Sequence, residues 1–241
     1  DSPPTITQTD LAEAARLCRE AKSPAILIGG GAVRLGDAVS RFAKALDAPV
    51  ISTTNARGIM AGHALDVPAS PSLRCVRDAL EGSDLVLALG TELGPTDCDM
   101  YEDGKFKLPD NLIRVDIDAR QLQRGPKAAL TIEANLGAFV EAMLATKSTW
   151  SRTSEGNGAH RAATLRETAR SEIGEAYRAH VDLIGDIWRA MPEATLVGDS
   201  TQLVYAGNMY VDAPRETSWF NSATGFGTLG YAAPAAIGAA I

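Results

Sequence analysis

Pro24-Ala25-Ile26-Leu27-Ile28-Gly29-Gly30-Gly31 decides the fold. A short uncharged run that ends in glycines lacks both the length of a helix and the alternation of a half-wet strand. It reads as a strand buried on both faces and followed by a tight turn. Working outward, Leu11, Ala14, Ala15, Leu17, Cys18 and Ala21 recur at helical spacing just before it, with Asp10 placed to cap that helix and Glu13 three residues on. Downstream the cycle repeats. A helix over 37–46 leads into a strand at 49–53, and a helix over 71–80 into a strand at 84–89. Two more strands follow at 112–117 and 129–132, then a closing helix at 136–144. This alternation predicts an α/β domain, a parallel sheet with helices on both faces, that presents ligands at the carboxyl ends of its strands. Those ends are 29–31, 53–57, 90–92 and 116–118.

The 241 residues suffice for one large domain, or one domain and part of another. A polar, glycine-containing stretch at 148–160 reads as a linker, which separates a first domain over 1–147 from a second unit over 161–241. In the second unit a charged helical stretch carries Leu165, Ala169, Ile173, Tyr177, Val181, Ile184 and Trp188. Strands are expected at 195–199 and 217–220, and an apolar small-residue helix over 230–241 that stops without a cap. A new α/β unit thus begins and then ends, and the chain reads as a fragment. A net charge of −7 and 5% aromatic residues speak against nucleic acid and polybasic membrane-surface partners. No run approaches the roughly 20 apolar residues of a membrane helix, and Asp1-Ser2-Pro3-Pro4 does not open a signal peptide. Cys18, Cys75 and Cys98 are too scattered for a disulfide framework or a metal clamp, so a reducing, cytoplasmic setting is expected.

Gly29, Gly30 and Gly31 between strand and helix invite a dinucleotide reading. The third glycine of that fingerprint is replaced by Arg34, and no acid closes the second strand, so the NAD reading fails. Two readings stay open: a sharp turn, or a phosphate-bearing ligand of another geometry with Asp116 nearby. Asp116 and Asp118 fit a cap for the next turn as well as oxygen ligation. His63 belongs to a loop expected over the strand ends, while His160 and His180 have no metal-ligand partner at helical spacing, so no metal site is expected. No nucleophile elbow and no Walker lysine occurs. The richest stretch is Asn221-Ser222-Ala223-Thr224-Gly225-Phe226-Gly227-Thr228-Leu229-Gly230-Tyr231-Ala232-Ala233-Pro234-Ala235-Ala236-Ile237-Gly238, whose glycines would let backbone approach a ligand closely, or which is a small-residue helix packed tightly against a sheet.

From Gly225 through Ala239, Gly225-Phe226-Gly227-Thr228-Leu229-Gly230-Tyr231-Ala232-Ala233-Pro234-Ala235-Ala236-Ile237-Gly238-Ala239, it resembles the loop and helix that open the diphosphate-binding domain of thiamine-diphosphate-dependent enzymes, the group of acetolactate synthase and benzoylformate decarboxylase. Residues 25–32, 85–90 and 113–118 resemble the family's central domain, and the resemblance covers nearly the whole chain. Within the family, Asp199-Ser200-Thr201-Gln202-Leu203-Val204-Tyr205 is most similar to 2-ketoarginine (5-guanidino-2-oxopentanoate) decarboxylase-type proteins. The resemblance implies a lyase or transferase that uses thiamine diphosphate and magnesium on a 2-oxoacid, with the cofactor as electron sink, in a homodimer or homotetramer. It assigns Leu229 to the wedge that bends the cofactor, the Gly227 backbone to its aminopyrimidine, Gly230 to cofactor binding beside them, and Gln202 to the diphosphate. It also implies that the activating glutamate precedes Asp1 and the metal motif follows Ile241, so this piece by itself is expected to be inactive, with no catalytic residue and no metal ligand of its own. Leu203 replaces the histidine of acetolactate synthases, which counts against that alternative. Gly90-Thr91-Glu92-Leu93-Gly94-Pro95 lacks the arginine pattern of flavin binders and Glu133-Ala134 replaces their Gly-Asp, so FAD is disfavoured. The competing expectation from another class is a non-catalytic nucleotide-binding or structural module.

Overall fold

The computed structural model describes residues 6–100, 103–151 and 156–241. The first residues, Asp1-Ser2-Pro3-Pro4, and part of the expected linker, 152–155, lie outside the described residues. The first unit runs α1 (Gln8–Glu20), β1 (Pro24–Ile28), α2 (Gly36–Leu46), β2 (Val50–Ser52), β3 (Asp66–Val67), α3 (Arg74–Glu81) and β4 (Leu85–Leu89). It continues through the single turn α4 (Pro95–Cys98), β5 (Leu112–Asp116), the single turn α5 (Ala119–Leu122), β6 (Leu130–Glu133) and α6 (Leu136–Ala145). Then come α7 (Gly158–Glu172), α8 (Gly174–Ala190), β7 (Leu196–Gly198), α9 (Gln202–Met209), β8 (Trp219–Asn221) and α10 (Ala232–Ala239).

The first six strands form one parallel sheet in the order β3-β2-β1-β4-β5-β6. The chain winds outward from β1 in one direction and then returns to start β4 on its other side, so the carboxyl ends of β1 and β4 flank the topological switch point. Every residue of β1 and β4 is buried, as their continuous apolar runs require. Ile26 and Ile28 face α1, α2 and α6, where Phe42, Phe139 and Trp150 fill the core. Ala25 and Leu27 face the opposite layer, in which Val76 and Leu80 of α3 share a cluster with Ala162, Leu165 and Ala169 of α7. Each of the larger apolar side chains among these contributes roughly 1.5–3 kcal/mol by leaving water, which outweighs any preference of so short a strand. Helix α7, downstream of the expected linker, therefore covers one face of the first sheet.

Several local expectations are corrected. Thr7, not Asp10, caps α1: its Oγ1 accepts from the Asp10 N–H at 3.0 Å and donates to the Asp10 carboxylate at 2.6 Å. Glu13 pairs with Arg16 instead. The charged stretch after the linker is two helices broken at Gly174, which takes a φ of +77°. The short strand β3 and helix α9 lack any strong periodic signal and appear only in the tertiary structure. β7 and β8 pair in parallel as a second, two-stranded sheet, packed through Trp188 and Trp219. The second unit lies along the β3 edge, where Ala69 bridges Tyr210 and the Ser70 N–H donates to the Met209 carbonyl at 2.8 Å.

Candidate functional site

Two places carry the candidate residues. The first is the switch-point cleft, about 500 Å³, lined by Gly29, Gly30, Gly31, Thr53, Asn55 and Asp116 among others. Here the glycines serve packing between loops. A Cβ on Gly29 would lie 2.3 Å from the Gly90 carbonyl oxygen, and one on Gly31 would lie 2.8 Å from the Gly90 Cα. Two of the three amides already have partners, Gly29 N–H on Leu89 O and Gly31 N–H on Gly90 O, both at 3.0 Å. Glu92, Asp97, Asp116 and Asp118 line the cleft, with no lysine or arginine among the lining residues. Like charges raise the free energy of a phosphate placed there. The Asp116 carboxylate accepts from the Asp118 N–H at 2.9 Å, and Asp118 caps α5 by accepting from the Arg120 N–H at 2.9 Å. The Arg120 guanidinium beside it holds the Asp118 carboxyl below the usual range.

His63 lies away from this cleft. It precedes β3 at the amino ends of the strands, not over their carboxyl ends, because the loop after β2 has already crossed back to start a parallel neighbour. Its Nδ1 accepts from the Leu65 N–H at 3.2 Å, and partial burial, with Lys44 nearby, pushes its pKa down. His160 is exposed, and the His180 Nδ1 lies 2.7 Å from the Ala176 carbonyl oxygen. Among the described residues no group of three or more His, Cys, Asp or Glu is placed to hold a metal. Cys18, Cys75 and Cys98 are free, and burial pushes all three thiols up. No described helix is long and apolar enough to cross a membrane.

The second place is the loop 225–230 beyond β8. Gly227 and Gly230 adopt left-handed conformations, with φ of +64° and +79°, and nothing lies within 4 Å of where a Cβ would stand on either. Between them Leu229 stands 75% exposed, and Phe226 is fully exposed. Helix α10, which follows, buries none of its residues. Asp199, just after β7, reaches this loop: its Oδ2 accepts from the Gly230 N–H at 2.9 Å and the Ala232 N–H at 3.3 Å, while its Oδ1 is buried without a partner. The Ser222 hydroxyl is likewise buried and unpartnered. Gln202 opens α9 after the Thr201 cap and accepts from the Tyr177 hydroxyl at 3.4 Å. No hydrogen bond joins it to Leu229 or the glycines among the described residues.

Two residues without a role in the sequence reading stand out. Asp199 carries a faint signal, an acid at the carboxyl end of a short strand, as Asp116 is. Arg57 carries none. It turns away from the cleft into the seam between the units, 1% exposed, where its Nη2 donates to the Asn208 carbonyl at 3.0 Å. Burial pushes its guanidinium down to about 10, against the opposing pull of Asp97 and Asp66.

A doubly wound parallel sheet with an acidic switch point, followed by a glycine loop on a second parallel pair, defines an α/β protein with two candidate ligand sites. The family model for the central domain of thiamine pyrophosphate enzymes matches residues 11–143, and the chain belongs to that family. The chain is 33% identical over 231 residues to a probable 2-ketoarginine decarboxylase, AruI, of Pseudomonas aeruginosa, covering 95% of this chain and 40% of that protein. It is 28% identical over 250 residues to an acetolactate synthase of Mycobacterium bovis, covering 95% of this chain and 38% of the relative. It is 29% identical over 269 residues to a sulfoacetaldehyde acetyltransferase of Castellaniella defragrans, covering 95% of this chain and 43% of the relative. The chain thus spans about two fifths of the length of these curated relatives.

Proposed function

We propose that this chain supplies the central domain and the cofactor-bending loop of a thiamine-diphosphate-dependent enzyme that acts on a 2-oxoacid, by decarboxylation or carboligation, with magnesium and as a homodimer or homotetramer. The reading of 1–147 as central domain, 148–160 as linker and 161–241 as the opening of the diphosphate-binding domain is part of this proposal. One observation carries it: Leu229, three quarters exposed, is held between two left-handed glycines whose outer faces are open. Leaving a leucine in water forgoes roughly 1.5–3 kcal/mol, which an apolar ring seated on it would recover. The orphaned Asp199 Oδ1 and Ser222 hydroxyl beside the loop fit a polar ligand that completes their hydrogen bonds. Bound cofactor would supply an electron sink for loss of carbon dioxide from the substrate. This chain's part is to orient: Leu229 as the apolar wedge, Gly227 and Gly230 as the close-approach backbone, and Gln202 toward the diphosphate. FAD at the switch point is disfavoured by the acidic lining and by amides already in use.

Calorimetric titration with thiamine diphosphate and magnesium tests the assignment. Full-length wild-type protein, which carries the flanking segments, should bind, and Leu229→Ala in it should weaken binding at least about tenfold with an unchanged melting curve, since so exposed a side chain supports no core. Equal binding by both proteins, or none by wild type, would refute the reading.

A further inference from the structure

The loop 225–230 is tied to the rest of the protein through a buried pair of amides. The Ser222 carbonyl accepts from the Gly225 N–H at 3.1 Å and the Gly227 N–H at 3.0 Å. Asn221, one residue earlier, shapes this turn: its Oδ1 accepts from the Ala223 N–H at 3.1 Å, and its carbonyl from the Thr224 hydroxyl at 3.3 Å. Asn221 is itself held by Asn208 of α9. The Asn221 Nδ2 donates to the Asn208 Oδ1 at 2.9 Å, and the Asn208 Nδ2 donates back to the Asn221 Oδ1 at 3.3 Å. The Trp219 indole N–H donates to the same Asn208 oxygen at 3.2 Å. Asn208 is wholly buried and Asn221 is 3% exposed.

Asparagine is a poor helix former, and a primary amide out of water is costly unless its bonds are made. An apolar side chain would suit the interior of α9 better on stability alone. The amide gives direction instead: three hydrogen bonds in fixed planes set β8 against α9 in one arrangement, where leucine packing would tolerate several. The brace extends into the first unit, since Arg57 donates to the Asn208 carbonyl while its Nε and Nη1 stay buried without partners. An incompletely satisfied buried cation is also a poor choice for stability.

We propose that Asn208 is a positioning residue: through Asn221 it sets the turn at Ser222 that carries the loop 225–230, and Arg57 couples that setting to the six-stranded unit. The functional consequence rests on the loop being the cofactor loop, but the positional one does not. Hydrogen exchange read by mass spectrometry on the full chain tests it without cofactor. Asn208→Leu removes all three side-chain hydrogen bonds and should speed exchange of amides at 223–230 by about tenfold, well beyond any change in α9, β8 or β4. Arg57→Met, which replaces an unsatisfied buried charge and so should fold even where Asn208→Leu does not, should speed the same amides about threefold. In the full-length protein, thiamine diphosphate with magnesium should bind Asn208→Leu about tenfold more weakly than wild type. Unchanged loop exchange in the folded variants overturns the proposal. Equal acceleration of α9, β8 and the loop overturns it too, because that is the signature of a merely structural residue. If full-length wild type takes up no thiamine diphosphate, the cofactor reading fails while the exchange comparison still decides this one.

Discussion

Asp66→Asn should stabilise the protein at neutral pH and leave it nearly unchanged in acid. Asp66 opens β3, 4% exposed, and accepts from the Ser52 hydroxyl at 3.2 Å. Burial first, then the charge of Asp212, pushes its pKa from the ordinary 3.8 up to about 6, with Arg57 and Arg166 pulling the other way. A raised carboxyl binds its proton more tightly in the fold than in the unfolded chain. Its neutral form is therefore compatible with folding, and stability is lost as pH rises from about 4 to about 6. At about 1.4 kcal/mol per pH unit, the ionised carboxylate costs on the order of 3 kcal/mol at pH 7. Asparagine keeps the acceptor for Ser52 and never ionises. For a domain of this size that is a gain of roughly 6–12 °C in melting temperature at pH 7, shrinking toward zero at pH 4. Thermal and urea unfolding of both proteins at pH 4, 5, 6 and 7 would show it. A difference that is the same at every pH, or a variant less stable than wild type at pH 7, would refute the reasoning.

Other outcomes follow from single contacts. Gly58→Ala should destabilise by at least ~2 kcal/mol in urea unfolding, because Gly58 sits at φ +82° and a Cβ there would lie 2.0 Å from the Arg215 carbonyl oxygen across the seam. Glu172→Ala should lower stability by roughly 1 kcal/mol in the same assay, since its carboxylate accepts from the Arg74 and Cys75 N–H groups at 2.5 and 2.8 Å and so closes the amino end of α3. Cys18 should resist thiol reagents in the native protein and react only on unfolding, because burial pushes its thiol up to about 12. Mass spectrometry of iodoacetamide adducts with and without denaturant would reveal early labelling if that is wrong.

The first unit was largely legible in the chain. Pro24–Ile28 and Leu85–Leu89 are apolar throughout because both faces of a parallel strand are covered, and the periodic helices between them leave little choice of architecture. What escaped has physical reasons too. Asp66–Val67 is too short to show alternation and is a strand only because β2 lies beside it. Gln202–Met209 mixes small, polar and aromatic residues, and its helix follows from packing under Trp219, against which a side chain at Gly207 would collide at 2.4 Å. His63 fell at the wrong end of the sheet because sequence order does not say when a loop crosses back.

At the candidate sites the division is similar. The glycine-flanked Leu229 could be picked out by residue type alone, since its conformational needs are local. Whether Gly29, Gly30 and Gly31 face a ligand or another loop depends on where Gly90 comes to rest, which is set some sixty residues away by the order of the strands. Asn208 likewise has no signature in the chain, and the stretches that hold Asn221 and Arg57 do not reveal that those two side chains meet it. Burial and mutual hydrogen bonding give these polar groups their meaning, and both exist only once distant segments have been brought together.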